Sequence, residues 1–346
     1  MTAQSSPGPL PKQPADTPWP TDAWPEHADA ARRREVGAQL ETHFGPEARA
    51  RIGETHALLV VQGGRLVAER YAPDFDEKTT LPSWSMAKSI LQSLVGVLVR
   101  EGLLDVHAPV DVPAWQSDDD PRQGITLDEL LRMSSGLQFH EAYLPNVGSD
   151  VVEMLFESGK DDVAGFAEAF PLAQPRDTWW NYSSGTSNIV SAIVHRALGL
   201  RGDDHRDYLF RELYDRIGMK SCVPKYDAAG IWIASSFNFA TARDFARFGL
   251  LQLRDGVWDG ERILPEGWVD YARTVTPASS GYYGAHFWRS LHGGDRFSCN
   301  GFRCQFIVMD PERDVVVVRS GNSDDAQRAA LQLALAEVVE AWPELD

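Results

Sequence analysis

"PSWSMAKSI", residues 82–90, sets Ser85 one helical turn ahead of Lys88. The run that follows, "SILQSLVGVLVREG" (89–102), is apolar on almost every face and stops at Gly102 with Arg100 in its last turn. A helix of that composition belongs in the middle of a domain. Residues three apart share a helix face at about 5–6 Å, so Ser85 Oγ and Lys88 Nζ can meet at the helix N-terminus. Of the six lysines, Lys88 alone has a serine three positions before it. Two readings fit this motif taken by itself. In one, Ser85 caps the helix and Lys88 snorkels to water. In the other, desolvation lowers the lysine's proton affinity until it can accept the proton of a serine nucleophile.

The pattern around this helix sets its surroundings. "ADAARRREVGAQLETHF" (28–44) spaces Val36, Leu40 and Phe44 by four and predicts an amphipathic helix ending near Gly45-Pro46. "HALLVVQGGRLVAERYAP" (56–73) reads as a β-hairpin about Gly63-Gly64. Residues 103–214 carry helical patterns and loops, with a capping box at Thr126 and Glu129 in "ITLDELLRMSSGL". Four strand patterns follow: "GYYGAHFWRS", "FSCNGF", "CQFIVMD" and "DVVVVRSG". Short turns between them predict an antiparallel meander, and the helix "DDAQRAALQLALAEVVEAW" (324–342) is suited to cover it. The expected fold is α/β (α+β): an antiparallel sheet flanked by helices, with an inserted mostly helical domain. The division expected is a Pro-rich arm (1–27), a discontinuous α/β domain (28–110 and 215–346) and a helical domain (111–214), with the active site at their interface.

Composition excludes several functions. With 43% apolar and 24% charged residues among 346, the chain is of ordinary globular type. A net charge of −17 argues against nucleic acid as a partner. The arm holds seven of the 21 prolines in its first 25 residues, so it is extended on the surface or disordered. It lacks a cationic segment followed by an apolar one, and no run of about 18 apolar residues occurs, so no secretory signal and no membrane span are expected. The expected location is cytoplasmic. Three cysteines without a CxxC indicate neither a disulfide scaffold nor a structural zinc site. "HEAYL" (140–144) begins like a zinc-protease motif but lacks the second histidine, and GxSxG, GxGxxG and P-loop patterns are absent. No metal or cofactor is expected. Cys299 and Cys304 lack a histidine at a spacing that would make either a thiol nucleophile.

Two further motifs bear on Ser85 and Lys88. "WNYSSGTSN" (180–188) places Tyr182 beyond the helical region, followed at the third position by Ser184. Before the last two strands lies Cys299-Asn300-Gly301; His292-Gly293-Gly294 also fits an HxG pattern but falls in a turn, and no lysine occurs after Lys225. With SxxK, these motifs resemble those of the serine β-lactamase-like hydrolases, the superfamily of class C β-lactamases and penicillin-binding proteins. The chain is most similar to the branch of 6-aminohexanoate-dimer (nylon-oligomer) hydrolases and β-lactamase-fold carboxylesterases, over roughly residues 50–340, including "LLRMSSGL", "TARDFARFGLLQLRDG" and "DPERDVVVV".

The resemblance implies Ser85 as acylated nucleophile, Lys88 as its activating partner and Tyr182 as proton shuttle to the leaving group. It implies an oxyanion hole from the backbone N–H groups of Ser85 and Phe302. Ser184 replaces the asparagine of the usual YxN motif and is expected to position Lys88 and substrate; Asn300, Gly301 and Tyr143 are expected at the substrate. The third motif lacks the Lys or His that would recognise a β-lactam carboxylate, so penicillins are expected to be poor substrates. Trp84, Trp179 and Trp180 fit either an apolar acyl pocket or core aromatics, and Glu141 and Asp150 either a cationic substrate end or a solvated face. The expected substrate is a small ester or linear amide. Kept beside this are β-lactamase or D-alanyl carboxypeptidase activity, and a catalytically silent binding module on the same fold; the sequence leaves the oligomeric state open.

Overall fold

The structure is a computed structural model that describes residues 7–143, 148–289 and 293–345. Two helices open the body, α1 (Ala30–Glu41) and α2 (Gly45–Ile52). They are followed by the hairpin β1 (Glu54–Gln62) and β2 (Arg65–Tyr71), a short strand β3 (Leu81–Pro82) and the helix α3 (Met86–Arg100). The middle of the chain carries α4 (Leu127–Leu131), α5 (Asp150–Phe156), α6 (Val163–Glu168), α7 (Ser184–Leu198) and α8 (Gly202–Leu209). Next come β4 (Val223–Pro224), β5 (Asn238–Ala240), α9 (Ala242–Leu253), β6 (Val257–Trp258), β7 (Glu261–Arg262) and α10 (Trp268–Arg273). The chain closes with β8 (Trp288–Arg289), β9 (Phe297–Gly301), β10 (Gln305–Asp310), β11 (Val315–Asn322) and α11 (Asp325–Glu340).

The main sheet has six strands in the order β2-β1-β11-β10-β9-β8, every neighbouring pair antiparallel. Side chains alternate across a strand, and here both faces are covered. Leu58, Val60, Phe306, Val308, Val315 and Val317 pack with Val36, Leu40, Leu331 and Leu335 of α1 and α11. Leu59, Val61, Ile307, Met309, Val316 and Val318 face α3 and α9 in the larger core. This explains why the strands read as unbroken apolar runs rather than alternating ones. Gly249 of α9 lets that helix lie against the sheet, since a Cβ there would stand 2.7 Å from Val316 Cγ1.

Buried on every face from Met86 to Leu98, α3 carries Ser85 at its N-terminal end. The turn ahead of it is held by a three-stranded sheet, β3-β5-β4. Two expectations change. Gly45-Pro46 starts α2 rather than merely ending the preceding helix, which stops at Glu41; proline fits the first helical turn, where its missing N–H is not needed. The strand expected in "GYYGAHFWRS" shortens to Trp288–Arg289, with Tyr283 and Trp288 joined only by an isolated bridge. Residues 7–27 lie along the body: Trp19 packs on Trp258 with ring centroids 5.0 Å apart, and Arg247 Nε donates to the Pro20 carbonyl at 2.7 Å. Residues 1–6 of the arm lie outside the described residues. Among the described residues no helix is long and apolar enough to cross a membrane, and no cluster of His, Cys, Asp and Glu is arranged to hold a metal ion.

Three buried histidines sit in the helical part and beside it. His195 and His205 stack at 3.6 Å between centroids. Nδ1 of His195 donates to the Leu200 carbonyl at 2.9 Å while its Nε2 accepts the Trp232 N–H at 3.1 Å, which fixes a neutral tautomer. His286 is held the same way between the Leu131 carbonyl (2.7 Å) and the Ser187 hydroxyl (3.0 Å). Burial pulls His195 down to about 4 and His286 to about 3, and lowers His205 likewise. Below about pH 6.5 the unfolded chain binds these protons and the folded chain does not. Stability is therefore fully present above pH 6.5 and falls with acid, by about 1.4 kcal/mol per pH unit for each such histidine. Urea midpoints measured at pH 7.5, 6.0 and 5.0 are expected to drop steeply; a midpoint unchanged to pH 5 contradicts neutral buried histidines.

Candidate active site

Ser85 is the N-cap of α3, yet its side chain caps nothing. Its hydroxyl stands 3.1 Å from Lys88 Nζ instead. Lys88, 1% exposed, has two further partners: Ser184 Oγ at 3.0 Å and the Ser235 carbonyl at 2.8 Å. Asn188 Oδ1 of α7 accepts the Ser235 N–H at 3.2 Å and so fixes that carbonyl. Burial pulls the Lys88 ammonium down to about 8, against the opposing pull of Glu141.

Glu141, read from the sequence as either a contact for a cationic substrate end or a solvated face, takes a third place here. Its carboxylate accepts the Ser184 N–H and the Ser184 hydroxyl, each at 2.7 Å, and the Tyr143 hydroxyl at 2.7 Å. Ser184 is the first residue of α7, where an anion is favoured by the unpaired N–H groups and the helix dipole. Because the single Ser184 proton goes to Glu141, Ser184 can only accept from Lys88. A neutral amine has two N–H bonds and one lone pair. The N–H bonds are taken by Ser184 Oγ and the Ser235 carbonyl, which leaves the lone pair for the Ser85 proton.

Tyr182 directly precedes the α7 N-cap Ser183. Its ring centroid is 5.0 Å from Lys88 Nζ, and it lines the same cleft as Ser85. Burial, then Glu141, hold the phenol above its ordinary value. A cleft of about 550 Å³ opens over this group, lined by Ser85, Glu141, Tyr143, Tyr182, Trp288, Asn300, Gly301 and Phe302. Neither the Ser85 nor the Phe302 backbone N–H takes an acceptor from the described residues. Gly301 carries no side chain for a reason: a Cβ there would run into the Ser83 carbonyl, so β9 could not lie against the turn that presents Ser85. A larger groove, about 830 Å³, lies beneath the N-terminal arm by Trp19, Arg254 and Asp270, with no paired nucleophile and base.

Several sequence expectations change at the site. Ser184 is fully buried and absent from the cleft lining; it meets Lys88 and Glu141 and has no face toward a substrate. Trp84 and Trp180 also stand outside the lining: Trp84 lies edge-on to Phe302 at 5.4 Å, and Trp180 packs behind Tyr182 and Trp288 at 6.3 and 6.0 Å. Glu141 is taken up by internal hydrogen bonds and is not a solvated face. Asn300, Gly301 and Tyr143 do line the cleft. His292, the alternative third-motif residue, lies outside the described residues. Cys299 and Cys304 are free and buried, and burial raises Cys299 to about 12 and Cys304 above its usual value, which leaves neither as a thiolate.

A mixed α/β fold with this sheet order and a serine–lysine pair at the head of its central helix defines the β-lactamase/transpeptidase-like class. Residues 48–340 match the Beta-lactamase family, and the chain belongs to it. It is 25% identical over 309 residues to the 6-aminohexanoate-dimer hydrolase of Paenarthrobacter ureafaciens, covering 81% of this chain and 76% of that one. A Bacillus anthracis structure provisionally named 6-aminohexanoate-dimer hydrolase superposes with a TM-score of 0.74 at 22% identity, over 86% of this chain and 82% of that one. A family VIII carboxylesterase superposes with a TM-score of 0.61 at 15% identity, over 91% and 98%. The protein is thus a hydrolase of the serine β-lactamase fold.

Glu141→Gln tests the carboxylate's place. Its charge raises the proton affinity of Lys88, so removing it lowers that affinity further. The acid limb of the pH profile for labelling by a fluorophosphonate is expected to move to lower pH. A shift to higher pH contradicts the assignment.

Proposed function

We propose that the protein hydrolyses small esters or linear amides through an acyl intermediate on Ser85. The observation that carries this is the donor count at Lys88: both N–H bonds of the neutral amine have acceptors, and the third direction meets Ser85 Oγ at 3.1 Å. With its proton affinity lowered by burial to about 8, Lys88 is in part a neutral amine near pH 7.5.

Lys88 takes the Ser85 proton as Oγ attacks the substrate carbonyl carbon. The resulting oxyanion is bound by the N–H groups of Ser85 and Phe302. As the carbonyl re-forms, the bond to the leaving oxygen or nitrogen breaks, and Tyr182 gives that atom its phenolic proton. The Lys88 ammonium restores the proton of Tyr182, so the amine is neutral again for the second half. Water then attacks the acyl carbon, loses a proton to Lys88, and Ser85 Oγ leaves as the hydroxyl after taking that proton back. Ser184, shut away from the cleft and held by Glu141, keeps Lys88 in place throughout. The names of the relatives, a 6-aminohexanoate-dimer hydrolase and a carboxylesterase, support a linear amide or an ester as substrate. Three free thiols support a reducing compartment, the cytoplasm.

A panel of p-nitrophenyl esters, short ω-amino acid amides and a chromogenic cephalosporin separates esterase, amidase and β-lactamase with one preparation. Ser85→Ala is expected to abolish turnover and the covalent adduct seen by intact mass while the protein still folds; the side chain caps nothing, so the stability cost is that of the lost Lys88 contact, about 1–3 kcal/mol. Lys88→Met is expected to fold and to acylate about 10²–10⁴-fold more slowly, as loss of a general base directs. Lys88→Arg, which cannot lose its proton, is expected to fail as well. Near wild-type acylation by Lys88→Met removes the lysine from the mechanism.

A further inference from the structure

Two groups of aromatic rings flank the site, and no ring contact joins them among the described residues. One group gathers around Tyr182: Trp180, Tyr283 and Trp288 lie with centroids 5.3–6.3 Å from it. The other forms a row. Tyr143 meets Phe302 at 4.6 Å, Phe302 meets Trp84 at 5.4 Å, Trp84 meets Phe237 at 6.0 Å, and Phe237 meets Phe156 at 6.0 Å. This row starts inside the cleft, at Tyr143 and Phe302, and runs out of it along the surface.

The row is exposed at its two ends and partly exposed between them. Phe156 is 50% exposed and Tyr143 39%, and Trp84, Phe237 and Phe302 are half-buried. Val152, one turn before Phe156 on α5, is also exposed, although that helix buries Val151, Met154 and Leu155 on its other side. Scattered exposed apolar residues need no explanation, but a contiguous row leading from a nucleophile does. Its middle member is held in an unusual backbone state: Trp84 has φ 46°, a left-handed conformation that a bulky residue adopts at a cost. That conformation is imposed next to Ser85, where the β3–β5 pairing and the first turn of α3 fix the backbone.

Chemistry decides which part of a substrate meets which group. The leaving group receives a proton from Tyr182 and so departs on the side of Tyr182 and Trp288, which line the cleft. The acyl group stays on Ser85 and lies along the other side, where Phe302 and Trp84 begin the row. We propose that this aromatic row binds an extended apolar acyl chain, making esters or amides of medium-chain alkanoic or arylalkanoic acids the preferred substrates. The inference rests on the acyl-serine reading and adds the acyl class to it.

The test is the ratio of kcat/KM for p-nitrophenyl octanoate to that for p-nitrophenyl acetate, in wild type, Phe156→Gln and Phe237→Ala. The leaving group is the same throughout, so the ratio reports the acyl side alone. The wild-type ratio is expected to be about tenfold or more, as burial of several methylenes requires. Each variant is expected to reduce it by roughly three- to tenfold. A ratio near one, or a parallel loss on both esters in both variants, overturns the proposal. So does a concentration-dependent dimer in sedimentation that Phe156→Gln dissociates, because the row is then covered by a second copy. If folded wild-type enzyme turns over neither ester and takes no fluorophosphonate, the acyl-serine reading falls and this one with it; turnover of both with a flat ratio removes this one alone.

Discussion

The burial of one ammonium organises this protein. Lys88 Nζ is shut off from solvent and needs acceptors for its protons, and each comes from a different part of the chain: Ser85 at the head of α3, Ser184 at the head of α7, and the Ser235 carbonyl ahead of β5. Removing any of these positions leaves a buried donor unsatisfied, which is costly. The same requirement thereby aligns two helix N-termini and one irregular segment at a single point. Two opposing effects then set the lysine's state. Desolvation disfavours the cation and the Glu141 charge favours it, and desolvation wins, because the carboxylate acts through Ser184 while the apolar helix surrounds the amine directly. The outcome, about 8, keeps both protonation states accessible near neutral pH.

The turn proposed to bind the oxyanion is fixed by a different device. After Gly301 the chain turns with Arg303 at φ 59° and Cys304 at φ 64°, two successive side-chain-bearing residues in the left-handed region. Such strain persists only where the surroundings over-determine it. Here the fully buried Arg319 donates to the Arg303 and Cys304 carbonyls at 3.3 and 2.9 Å, and Gln305 Nε2 donates to the Phe302 carbonyl at 3.1 Å. The turn that carries Phe302 is thereby held by side chains outside the cleft lining. Preorganised donors of this kind act without reorganising during the reaction.

What the sequence reveals follows from which interactions are local. The Ser85–Lys88 pairing, the Gly63-Gly64 hairpin, the capping box at Thr126 and the terminal meander each depend on residues within one or two turns of each other, so spacing exposes them. Glu141 meets Ser184 across 43 residues, from a segment without helical or strand periodicity, and nothing in its neighbourhood distinguishes it from a surface acid. Ser184 was legible as a neighbour of Lys88 but not as a residue shut away from the cleft. Its burial depends on α7 docking against α3, a tertiary fact. Trp180 misleads for the same reason, since it flanks the motif in sequence while its ring partners Tyr283 and Trp288 come from a distant loop and strand.

The proton states of the neighbouring groups support the proposed lysine base. Burial raises the tyrosines around Ser85, Tyr143, Tyr182 and Tyr283, above their ordinary values, so none of them is a phenolate near neutral pH. His286 stays neutral, because burial and the nearby Lys88 charge both disfavour its cation. The buried thiol Cys299 is raised to about 12. Each of these groups is held in a single state, whereas Lys88 alone is brought within reach of neutral pH. A tyrosine held neutral can donate a proton and take one back, which is what a shuttle needs, but it cannot begin the transfer by removing one. Only a group that changes state can do that, and the amine that can is the one whose lone pair faces the serine.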